Sequence, residues 1–140
     1  MAEVQKGFFW HVHHTVLLEW CYNYDERASY ISEQKREDQQ ETRLRLFKPV
    51  RGKLPQEVVE AGQALDEARQ TYRALQVLNK EAGQVLNEAW RAYNEAWQVY
   101  YRAGRVYDAA LRKNMSAIEA LHREECHNCP WNGKTIFPKA

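Results

Sequence analysis

The chain has 140 residues, enough for one domain with a real apolar core, and its 20 basic and 19 acidic side chains leave a formal net charge of +1. That balance gives no general attraction to nucleic acid, membranes or acidic substrates. No apolar run approaches the roughly 20 residues of a bilayer span, and residues 1–6 lack the zones of a signal peptide, so the expectation is a cytosolic protein with no membrane contact.

Composition divides the chain into an N-terminal zone (1–54), a helical body (55–123) and a C-terminal tail (124–140). The aromatic and β-branched run Phe8-Phe9-Trp10-His11-Val12-His13-His14-Thr15-Val16 alternates with period 2, which predicts a strand. Asn23 or Asp25 then offers an N-cap for a short helix through Ile31, with a charged loop over residues 33–41. Thr42-Arg43-Leu44-Arg45-Leu46-Phe47 alternates again before Pro49 and predicts a second strand. Proline and glycine in the loop 48–54 mark a boundary.

Pro55 suits the first turn of a helix, and no proline follows until Pro130. Within that gap the sequence repeats by sevens. Ala61, Ala68, Leu75, Ala82, Ala89, Ala96, Ala103 and Ala110 form one column. Beside it run Leu65, Tyr72, Leu86, Tyr93, Tyr100 and Tyr107, and on its other side Leu78, Val85, Val99 and Val106. These columns make one apolar stripe on a helix. The pattern predicts either one long rod or a helical hairpin, and Gly83 is the expected bend if the body folds back. Alanine at a core column lets helix axes approach toward the short end of the usual range of about 8 to 10 Å. Ala82, Ala89, Ala96 and Ala103, flanked by Tyr93 and Tyr100, are therefore the candidate contact of a homo-oligomer, a dimer or higher. From Trp90 onward a further column turns apolar, with Trp97, Leu111 and Ile118, as expected of a helix with more than one neighbour.

Three cysteines are too few, and odd in number, for a disulfide framework. Cys126-His127-Asn128-Cys129, followed by Pro130 and Gly133, has the spacing of one zinc knuckle and supplies half of a four-ligand site. His11 and His13, which a strand would place on one face, are the candidates for the other half. His122, four residues before Cys126, is the alternative, with Cys21 and His14 in reserve. The competing reading is that the thiols simply pack as small apolar groups. A site of two Cys and two His would be closed and structural. A hairpin or an antiparallel dimer brings the two halves together, whereas a parallel pair of rods holds them apart.

No Gly-rich phosphate loop, nucleophile elbow or HExxH stretch occurs, so a non-enzymatic protein is expected. Arg43, Arg45 and Arg51, with Lys48, Lys53 and Trp10 nearby, form the one basic cluster and the candidate site for a nucleotide-type ligand. The His-rich start, the Cys-x2-Cys end and the intervening Ala-Trp-Arg-Ala-Tyr-Asn-Glu units together resemble small proteins of phage and metagenomic origin to which no activity is assigned. The resemblance spans most of the chain, implies a phage setting, and carries over no site residues.

The fold class expected is thus mainly α, a long heptad-patterned helix or hairpin with a small α+β module made from the two ends. The function expected is binding: an inhibitor or adaptor of a host protein. The alternatives are a sponge for a nucleotide-derived signal and, less favoured because of the neutral charge balance, a zinc-supported nucleic-acid binder.

Overall fold

The computed structural model describes residues 4–81 and 87–138. The chain is mainly helical and divides into two compact units, one built from Met1–Lys53 with Ile118–Ala140 and the other from Leu54–Ala117. Both ends of the chain therefore belong to one module.

In that module β1 (Gly7–Trp10) lies at the centre of a three-stranded antiparallel sheet, between β2 (Leu18–Cys21) and β3 (Lys48–Pro49). Gly7 is opposite Cys21 and Trp10 opposite Leu18, while Phe9 is opposite Pro49. The expected strand through Val16 stops at Trp10. His11 takes a left-handed backbone conformation, φ 52°, and the chain turns back through bonds from His11 N to Leu17 O and from Val16 N to His13 O. The aromatic run is thus shared between a strand and a turn, and its histidines do not alternate on one strand face.

Helix α1 (Tyr24–Gln34) starts where expected, with the Asn23 side chain accepting from the Glu26 N–H at 3.0 Å. Helix α2 (Glu37–Leu46) replaces the expected loop and second strand. The alternation of Leu44 and Leu46 misled because Glu, Gln, Arg and Leu are good helix formers and only Thr42 in that span is β-branched. Glu37 and Asp38 in the first turn, and Arg43 and Arg45 in the last, complement the helix dipole. Arg43, Leu46 and Phe47 are buried, a helical spacing that faces the sheet module's core. Phe9, Val12, Cys21, Ile31 and Phe47 form one apolar cluster there, and Leu46, Cys126 and Ile136 a second. Residues 134–137 form no strand. They attach through one backbone bond, Ile136 N to His14 O at 2.9 Å.

The second unit is the hairpin of α3 (Gln56–Glu81) and α4 (Asn87–Lys113), so the heptad body is two helices rather than one rod. Gly83, the expected bend, lies outside the described residues, as does Ala82. Of the alanine column Ala61, Ala68, Ala96 and Ala110 are buried and Ala89 and Ala103 half-buried. The tyrosines of the two helices meet each other: Tyr72 stacks on Tyr93 at 5.2 Å, their hydroxyls 2.9 Å apart, and lies 5.5 Å from Tyr100. The contact expected between subunits is therefore made within one chain, because the column repeats on both arms of the hairpin. After Asn114, whose side chain donates to Ala110 O, the chain begins α5 (Met115–Glu125), which belongs from Ile118 onward to the end module.

Candidate metal centre

Four side chains from three separate stretches converge in the end module. His11 follows β1, His122 and Cys126 sit at the C-terminal end of α5, and Cys129 closes the turn beyond it. His122 and Cys126 are four residues apart, hence on one helix face, and Cys126 N still bonds His122 O at 2.7 Å. Asn128 then adopts φ 57°, the left-handed position that lets the chain reverse and bring Cys129 back beside Cys126.

One ligand atom from each residue lies within 4.8 Å of all the others, so the four could hold a metal ion. His11 Nε2 is 3.0 Å from His122 Nε2 and 3.3 Å from Cys129 Sγ. Tetrahedral coordination with metal–sulfur bonds of about 2.3 Å and metal–nitrogen bonds of about 2.0 to 2.1 Å requires ligand atoms roughly 3.3 to 3.8 Å apart. The two separations from His11 lie at or just below the short end of that span, so small side-chain shifts would seat an ion. His11, His122 and Cys126 are buried and Cys129 half-buried.

The surrounding groups orient these ligands. His11 Nδ1 lies 3.2 Å from the carbonyl oxygen of Val16, which can only accept, so in the neutral ring Nδ1 carries the proton and Nε2 turns a lone pair toward the other three residues. Trp10 packs edge-on against the His122 ring at 5.2 Å, and Trp131 lies 5.3 Å from the His11 ring. A hydrogen bond from the Cys126 thiol, supported by the Trp131 N–H, outweighs burial and holds Cys129 well below the ordinary thiol range, while Cys126 is pushed up. Beside the cluster an open groove of about 690 Å³ is lined by His122, Cys126, Cys129, Trp131 and Gly133.

Glu125 secures the scaffold from the other side. Its carboxylate accepts from Trp10 Nε1 at 3.1 Å, Arg51 N at 2.8 Å and Gly52 N at 2.6 Å. Although burial works against ionisation, these donors hold its carboxyl below the usual range. A side chain at position 52 would meet Leu121 at 2.5 Å and Glu125 at 2.7 Å, so it could enter only if the ends of those side chains shifted.

The expected ligand set of His11, His13, Cys126 and Cys129 differs from this cluster at one position. His13 is exposed and its Nδ1 pairs with Glu19 at 2.7 Å, while His122 takes the fourth place. The turn at His11 is the cause, since it separates His11 from His13. The spacing of His122 and Cys126 on a helix was the sequence signal for the residue that joins the cluster. Of the reserves, His14 pairs with Thr135 at 3.2 Å and Cys21 is in the apolar core.

The residues expected to hold a nucleotide-type ligand do not form one open pocket. Trp10 is 0% exposed, so no base can stack on it. Arg43 is buried, bonded to Gln39 and lying over the Phe137 ring at 5.2 Å. Arg45 reaches toward Asn128 O at 3.5 Å, and Arg51 engages Glu125 through its backbone. No helix among the described residues is long and apolar enough to cross a membrane.

Comparison with protein-family models, curated proteins and solved structures found no match to this chain.

Proposed function

We propose that this is a non-enzymatic binding protein whose end module is held closed by one structural zinc ion and whose helical hairpin supplies the contact surface. The convergence of His11, His122, Cys126 and Cys129 on one point carries the reading. Two thiolates and two imidazoles suit zinc, and four protein ligands fill a tetrahedral shell, leaving no position for substrate or activated water. The Val16 carbonyl behind His11 is the kind of outer partner that fixes a metal-ligating imidazole. The ion would tie the end of β1 to the end of α5, across more than 100 residues of chain. Rows of exposed aromatic and aliphatic side chains on the hairpin favour action by protein contact. In the phage setting implied by the sequence resemblance, a host protein is the target class.

Native mass spectrometry of the purified full chain tests the metal. One zinc per chain is expected, lost in Cys126→Ser and in His122→Ala but retained in His13→Ala. Cobalt substitution should give the absorption bands of a tetrahedral thiolate site. A chain that carries no metal, takes up no cobalt and tolerates Cys126→Ser without change in its near-UV spectrum would overturn the reading.

A further inference from the structure

The alanine and tyrosine columns of α3 and α4 face one another, so the remaining heptad columns fall on the two opposite faces of a two-helix layer. Because the helices run antiparallel, equivalent columns of both share a face. One face carries Trp90, Trp97 and Tyr101 of α4 beside Arg73 and Lys80 of α3. There Trp97 stacks on Tyr101 at 5.4 Å, and the Arg105 guanidinium lies 6.0 Å from the Tyr101 ring centre. The opposite face carries Leu78 of α3 and Val99 and Val106 of α4, with the exposed Glu81, Glu88 and Glu95 alongside. The six apolar residues on these faces are 47% to 61% exposed. The buried Asp66 and the exposed Asp108 on the first face, and Arg102 and Lys113 on the second, are the exceptions to the charge pattern.

Scattered exposed apolar residues need no explanation, but two rows repeating with the heptad, one on each face, do. We propose that a second copy of this chain covers them, the aromatic and basic face of one hairpin docking on the aliphatic and acidic face of the next. Like faces brought together would set Arg73 and Lys80 against their own copies, or the glutamates against theirs. Unlike faces set cations against carboxylates and rings against branched side chains. The contact is therefore heterologous, and each docked pair has one face of each kind left to extend a ring or an open chain. This inference rests on the reading of the hairpin as the contact surface and is independent of the metal.

Sedimentation of the zinc-loaded full chain over a concentration and salt series tests it. The weight-average mass should rise with concentration and fall with salt. Trp97→Glu/Tyr101→Glu blocks one face and Val99→Lys/Val106→Lys the other, with helicity checked by far-UV circular dichroism. Each variant alone should be monomeric, its association weakened about 100-fold, equivalent to roughly 2.8 kcal/mol. An equimolar mixture of the two should form a 1:1 heterodimer, because each partner keeps one intact face. Glu88→Lys/Glu95→Lys, confined to exposed charges, should weaken assembly without altering the fold even if an apolar variant misfolds. A wild-type monomer at every concentration, or two assembly-deficient variants that fail to restore each other, would overturn the proposal. A chain that assembles this way but neither carries zinc when purified nor takes it up would refute the zinc centre alone, and a zinc-loaded monomer would refute the docking alone.

Discussion

The two units of this protein reach order by different means. The hairpin draws on one short-range rule, an alanine and a tyrosine or leucine at fixed places in most heptads, applied along two helices of 26 and 27 residues. Each turn repeats the contact of the previous one, so no single residue is indispensable. The end module has no such redundancy. Its strands are four residues or shorter and its core rests on contacts such as Trp10 with Glu125 and His11 with His122, more than 100 positions apart in sequence. Small sheets of this kind bury too little surface to be stable alone, which is where cross-links or metals are needed. The hairpin should therefore fail gradually under perturbation, and the end module all at once.

Metal removal should expose the contrast most strongly. Structural zinc sites contribute on the order of 10 kcal/mol to folding in small domains. A strong chelator is expected to abolish the near-UV signals of Trp10 and Trp131 while far-UV circular dichroism keeps most of the hairpin's helicity. Simultaneous loss of both signals would mean that the units are energetically one. Next in size, Phe9→Ala empties a position packed by Tyr24 and Phe47 and should cost about 3 to 5 kcal/mol in denaturant unfolding monitored in the end module. Ala96→Leu forces bulk between close-packed helices of the hairpin and should cost about 1 to 3 kcal/mol, with the zinc content unchanged. Asn23→Ala removes the α1 cap and should cost about 1 kcal/mol.

The smallest effect belongs to Glu57, whose side chain accepts from Asn114 at 3.2 Å and pairs with Lys113 at 3.3 Å across the hairpin. These partners, Asn114 foremost, hold its carboxyl below the ordinary value. Its contribution is present above the unfolded pKa and is lost as pH falls through the lower folded one. Glu57→Gln should therefore narrow the difference in melting temperature between neutral and strongly acidic solution by a degree or less, since this ion pair is open to solvent.

The heptad pattern, the start of α1 at a cap offered by Asn23 or Asp25, and the break around residues 48–54 could be read directly from the chain, because each depends on residues within a few positions of one another. The candidate metal ligands could be read only in part. Cys126 and Cys129 declare themselves by spacing, and His122 by its place one helical turn before Cys126. His11 could not be told from His13, since the choice turns on a left-handed residue that ends β1 early. Helix α2 was hidden for a related reason: Leu44 and Leu46 fit an alternating pattern as well as a helical one, and burial of Arg43 and Phe47 settles it.

Local periodicity and side-chain chemistry were enough to commit the chain to a heptad-patterned helical body and to place candidate metal ligands near its ends. Which face of the heptad is used inside the chain, and which four of the His and Cys side chains meet, depended on folding the body back on itself. Helical propensity sets the shape of a segment within one or two turns, whereas long-range partners are selected only when distant segments compete for the same buried space.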